Sequence, residues 1–156
     1  MPRTLIIAYG NPLRSDDGVA WRAADILAEK RSSPTLEILR LHQLAPELAD
    51  TLRGYERVIF IDAAFSEESG IEAGSIRMEE IAAGTADPAS FTHAFSPRKV
   101  LELGADLYSA RPRAFSVTVK GANFDHGDTL SPLVADALPD LIATIERLVL
   151  DAASKA

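Results

Sequence analysis

The apolar positions of the 156-residue chain change period several times, and each change marks an element. Leu5-Ile6-Ile7-Ala8 is an unbroken apolar run rich in β-branched residues, as expected of a strand buried on both faces. Gly10-Asn11-Pro12 stops it. Val19, Ala23, Ile26 and Leu27 then recur at helical spacing, and the helix they predict ends near Lys30-Arg31, before Ser32-Ser33-Pro34. Ser15 or Asp16 is placed to cap this helix, and two acids in the first turn suit its dipole. Residues 36–41 (LEILRL) alternate apolar and polar as a second strand. His42-Gln43-Leu44 follows as a loop, Pro46 opens a short helix over 46–53, and Gly54 closes it. Residues 57–61 (RVIFI) form a third apolar strand, with Asp62 at its end.

The second half is read the same way. Residues 66–74 are a polar loop, 75–78 a short edge strand, and 79–91 carry little pattern. Ser96 as N-cap and Pro97 at the first helical position start a helix whose buried face is Val100, Leu101, Leu103, Gly104 and Leu107. Residues 114–119 (AFSVTV) are a fifth strand, and 120–129 a loop with two glycines. Ser131-Pro132 repeats the helix start. Val134, Leu138, Leu141, Ile142, Ile145, Leu148 and Val149 line one face of a long last helix, in which Pro139 marks a kink or a restart. Apolar strands each followed by a helix imply parallel pairing with right-handed crossovers. The expectation is a single domain over residues 1–156, of α/β class, with about five strands and helices on both faces.

Composition narrows the class. The net charge of −7 argues against nucleic acid as a partner, which calls for a basic face. With no cysteine, disulfides, thiolate metal sites and a Cys nucleophile are all excluded. The N-terminal apolar run is too short for a signal sequence, and no run approaches a membrane span, so a cytoplasmic protein without membrane contact is expected.

Sites in parallel α/β sheets gather at the carboxyl ends of the strands. Strand one leads into Asp16 and Asp17, strand two into His42 and strand three into Asp62, so all four open on one edge; His93 precedes a helix start that reaches the same edge. Two carboxylates and an imidazole suit a borderline divalent ion such as Ni, Zn, Fe or Co, and equally suit acid–base work without a metal. The plainer readings are a cap for Asp16, a dipole-complementing surface acid for Asp17, a turn cap for Asp62 and a solvated loop residue for His93. His126, within Phe124-Asp125-His126-Gly127-Asp128, reads as a solvated turn residue, and His42 as a candidate substrate contact. Ser15 has no histidine placed by sequence to activate it. No dinucleotide fingerprint, P-loop, nucleophile elbow or HExxH is present.

Gly10-Asn11-Pro12-Leu13-Arg14-Ser15-Asp16-Asp17-Gly18 after an N-terminal strand resembles the hydrogenase maturation proteases, the endopeptidases that trim the large subunit of nickel–iron hydrogenases. Ile61-Asp62-Ala63 is similar to that family's second motif and Thr92-His93 to its third, and the likeness reaches Leu130-Ser131-Pro132 and the last helix. The resemblance implies a three-layer α/β/α sandwich around a mostly parallel five-stranded sheet with one antiparallel strand, which the reading of the residues places at 75–78. It implies that Asp17, Asp62 and His93 bind a metal and form the catalytic site. That metal is nickel supplied by the substrate, or another divalent ion for the isolated protein. The implied partner is the precursor of a hydrogenase large subunit, cut once near its C-terminus by a monomeric enzyme.

The sequence departs from the family pattern in two places. Ala20 stands where a second glycine is usual, and His42-Gln43-Leu44 replaces a Gly-rich turn, which points to a different substrate. Arg98 reads as a solvated first-turn residue. Two competing functions remain. One is a metal-checking domain that binds without cutting. The other is a peptidyl-tRNA hydrolase, which the strand and Gly-Asn-Pro also resemble, but acids stand where its catalytic histidine belongs and the chain is acidic.

Overall fold

The computed structural model describes residues 3–65, 71–83 and 95–154. β1 (Thr4–Tyr9) lies in a five-stranded sheet between β2 (Leu36–Leu41) and the central β3 (Arg57–Ala64); β5 (Arg113–Lys120) follows, and β4 (Ile76–Ile81) closes the edge, giving the order β2-β1-β3-β5-β4. All pairings are parallel except β4 with β5. The antiparallel strand falls where the reading of the residues puts it, but runs to Ile81 rather than Met78. Its outward charges, Arg77, Glu79 and Glu80, hide it from a hydrophobicity reading.

Alternation along the central strands divides the core between two faces. Ile6, Ala8, Ile59, Ile61, Val117 and Val119 pack under α1 (Val19–Lys30) and α4 (Pro132–Ser154). Leu5, Ile7, Val58 and Phe60 pack under α2 (Leu48–Thr51) and α3 (Pro97–Tyr108). This is the α/β/α sandwich expected. α3 begins as the sequence says, with the Ser96 hydroxyl accepting the Lys99 N–H at 3.2 Å and Pro97 next.

Several details differ from the sequence reading. α2 is one turn, because only Leu48, Ala49 and Leu52 find core to bury. β3 continues to Ala64, so Asp62 sits within the strand rather than after it; its pairing with β5 carries on through Ala64↔Lys120. α4 passes through Pro139 as one helix with no restart. Arg98 is not simply solvated: it pairs with Glu79 of β4 at 3.6 Å, tying the start of α3 to the sheet edge. Among the described residues no helix is long and apolar enough to cross a membrane.

Candidate functional site

The carboxyl ends of β1, β2 and β3 open on the same edge, and the chain turns sharply there. Gly10 adopts φ +143°, a left-handed conformation that L side chains rarely adopt. It also has no room for a side chain: a Cβ would stand 2.2 Å from the Asp17 carbonyl oxygen. The turn therefore brings Asp17 back against the strand end. There the Asn11 N–H donates to Asp17 Oδ2 at 2.8 Å. Gly18 is equally confined, its missing Cβ lying 2.9 Å from Pro12 Cα.

Asp16 does not cap α1, contrary to the sequence expectation. Residues Ser15–Gly18 form a 3-10 turn, Gly18 is the N-cap of α1, and neither start has a side-chain cap bond. The Asp16 side chain points the other way and is fully buried. It accepts the N–H groups of Ala122, Asn123 and Ser131 at 2.7, 2.9 and 2.7 Å, and the Ser131 hydroxyl at 2.8 Å. Burial alone would raise its pKa, but these bonds prevail and hold the carboxyl below its ordinary range. Ser131 immediately precedes α4, so Asp16 pins the β5–α4 loop and the start of α4 to the first turn. Nearby, the Ser15 hydroxyl donates to the Asp125 carbonyl at 2.8 Å, which occupies that hydroxyl structurally.

Asp62 faces the α2–α3 side of the sheet, in line with Val58 and Phe60. Its carboxyl is pushed up to about 8, first by burial and then by the charge of Asp17 beside it. The nearby Ala63 N–H and Tyr9 side chain oppose that rise. Sequence reasoning missed Tyr9. The available signal was parity: with Ala8 opposite Ile61, one further step along β1 and β3 sets Tyr9 beside Asp62 on the same face.

The site-edge histidines divide. His42 is exposed and packs edge-on against Trp21 at 5.3 Å between ring centroids, while the Trp21 indole N–H holds the Leu41 carbonyl at 2.9 Å. His126 is exposed on the β5–α4 loop, as the sequence suggested. His93 lies outside the described residues. Among the described residues no three His, Cys, Asp or Glu side chains form a metal-sized cluster; the structure brings together Asp17 and Asp62. Such a pair fits a divalent cation on chemical grounds, because two neighbouring carboxylates repel each other until a positive charge lies between them. It also fits proton transfer near neutral pH.

The chain has the fold of solved hydrogenase maturation endopeptidases. It is similar to the hydrogenase maturating endopeptidase HybD from E. coli, with a TM-score of 0.72 and 22% identity over 96% of this chain and 93% of that one. It is also similar to two proteases from Thermococcus kodakarensis. HybD gives a TM-score of 0.68 and 25% identity over 94% and 98% of the chains, and HycI gives 0.75 and 21% over 92% and 89%. No family model and no curated protein matches the sequence.

Proposed function

We propose that the protein is a hydrogenase maturation endopeptidase that removes a C-terminal peptide from the nickel-loaded large-subunit precursor of a nickel–iron hydrogenase. Asp17, Asp62 and His93 read the nickel that the substrate carries. The observation that carries this reading is that Asp17 and Asp62, near enough for the charge of Asp17 to raise the pKa of Asp62, share the carboxyl edge of a sheet with the fold of those proteases. The setting is the cytoplasm, and the working unit is the monomer.

In this reading the two carboxylates offer oxygen donors, and His93 completes the set. The ion, when bound, polarises the scissile carbonyl or a water that attacks it. The chain's own contribution is position and proton control. Asn11 fixes one oxygen of Asp17, and docking against the pair orients the scissile bond. Asp62 keeps its proton at neutral pH in the free protein, so docking of a cation expels that proton and leaves a carboxylate beside the reacting bond.

The test is to incubate the protein with nickel-loaded and metal-free forms of a candidate precursor and read C-terminal mass loss. Cutting of the loaded form alone, abolished by Asp17→Ala and His93→Ala, is expected. Full processing by either variant would overturn the reading. Metal binding with no cleavage of the loaded form would favour the non-cutting metal-checking domain.

A further inference from the structure

We propose that the open edge of β2 is the docking strip for the precursor's C-terminal peptide, which pairs with it as an added antiparallel strand. The inference rests on the function proposed above and says how that substrate is held. It starts from the ladder. β2 is an end strand of the sheet and pairs with β1 alone. The Thr4 N–H donates to the Thr35 carbonyl at 2.8 Å and the Gly10 N–H to the Leu41 carbonyl at 3.0 Å, so the odd-numbered residues of β2 turn their backbone groups toward β1. Alternation turns those of Leu36, Ile38 and Arg40 outward. The Leu36 N–H is taken by the Ser33 carbonyl at 3.2 Å. Among the described residues nothing takes the N–H or the C=O of Ile38 or Arg40. These are the groups that one added antiparallel strand would claim.

The side chains leave this edge apolar. Leu36 and Ile38 reach the core under α1, Leu39 and Leu41 reach the core on the opposite face, and all four are only half-buried. A strand with apolar side chains on both faces would cover them. β4, the other edge, is defended by charge, because Arg77, Glu79 and Glu80 all stand in ion pairs. Position selects the occupant of β2. The Leu41 carbonyl accepts both the Gly10 N–H and the Trp21 indole N–H, and the next residue of that turn, Asn11, donates to Asp17. The carboxyl end of β2 is thereby stitched to the turn that holds Asp17. A chain cut at the acids has its C-terminal peptide beginning at this edge. Running away from the acids, that peptide lies antiparallel to β2, and about six extended residues, about 20 Å, match the strand's length. Main-chain pairing supplies the hold, and apolar side chains at successive positions set the preference.

The test compares Arg40→Pro with Arg40→Ala. Both lose the Arg40–Asp25 ion pair of 2.7 Å. Only proline removes the outward N–H, and an edge strand tolerates it because that N–H bonds nothing in the ladder. Cleavage of the nickel-loaded candidate precursor is followed across substrate concentration. Arg40→Pro is expected to raise KM about 3–10-fold over Arg40→Ala, the effect of one lost hydrogen bond, with kcat changed far less. Equal KM values for the two variants overturn the proposal, as does a loss confined to kcat. Should Arg40→Pro fail to fold, amide exchange of the wild type with a synthetic copy of the released peptide decides. Slowed exchange at Ile38 and Arg40, with Glu37 and Leu39 protected throughout by β1, supports the pairing; unchanged exchange at both overturns it. Slow exchange at these two amides in the protein alone, deepening as its concentration rises, puts a second copy on the edge and likewise overturns the proposal. Failure of the wild type to cut the loaded precursor overturns the function proposed above and this inference with it, whereas equal variants with normal cutting leave that function standing.

Discussion

Asp62 carries a stability penalty that a single isosteric change should remove. In the unfolded chain its carboxyl titrates near the ordinary 3.8; in the fold, burial and the neighbouring Asp17 push it to about 8. Between those values the native state holds a proton that the unfolded state has released. Stability therefore falls as pH rises through that window and levels off above it. At about 1.36 kcal/mol per pH unit, the gap sets a ceiling of about 6 kcal/mol. Asp62 retains some solvent contact, and water at the carboxylate reduces the effect, so about 2–4 kcal/mol is expected.

Asp62→Asn keeps the side-chain shape and one acceptor oxygen, and it has no proton to lose. The assay is urea unfolding of wild type and variant at about pH 4 and about pH 9, where every other titrating group is common to both and cancels. The two proteins should be nearly equal at the acid end, and the variant more stable by about 2–4 kcal/mol at the alkaline end. A difference that does not change with pH would refute the reasoning, because the penalty would then not come from ionisation. Adding a divalent cation at alkaline pH should stabilise the wild type and leave the variant nearly unchanged.

Three other substitutions test the frame around the acids. Asp16→Ala strips the partner from three part-buried N–H groups and a hydroxyl, so a loss of about 2–4 kcal/mol is expected in urea unfolding, with faster amide exchange over residues 121–131. The depressed pKa of Asp16 adds a sign: its contribution is complete above the unfolded value of 3.8 and is lost as pH falls through the lower folded value, so the wild type should weaken steeply in acid where the variant does not. Gly10→Ala places a Cβ 2.2 Å from the Asp17 carbonyl oxygen at a φ of +143°, and should lower stability by about 2–4 kcal/mol together with Ni²⁺ affinity. Ser96→Ala removes the cap of α3 and should lower stability by about 1 kcal/mol in the same unfolding assay.

What the sequence made legible was local. Unbroken apolar runs located β1 and β3, and Ser-Pro starts located α3 and α4, because periodicity and capping are properties of short stretches. β4 was harder: its exposed charges and its antiparallel place at the edge leave only Ile76 and Ile81 to mark its ends. The extension of β3 past Asp62 was hidden because a strand continues where a neighbour pairs with it, and β5 supplies that pairing from a distant part of the chain. The common edge for Asp17 and Asp62 followed from parallel order alone. The placing of Tyr9 next to Asp62 needed the register between strands, which the sequence does not carry.

The adjacent acids show most clearly where local reading ends. Asp16 and Asp17 look interchangeable as first-turn acids, and helix preference favours the first as a cap. The deciding partners lie 106 to 115 residues further on, in the loop that donates to Asp16. Once four donors claim Asp16, its charge is balanced inside the fold and withdrawn from chemistry. Among the described residues Asp17 receives one backbone N–H, and its charge bears on Asp62. The hydrogen-bonded acid sets the backbone from which the next residue must project, and the unbalanced pair carries the repulsion that a cation would relieve. The division of labour follows from donor supply: an acid surrounded by N–H groups becomes structure, and one left facing another acid keeps its free energy for binding. Moving a donor to Asp17 or Asp62 would therefore strengthen the fold and weaken the site together.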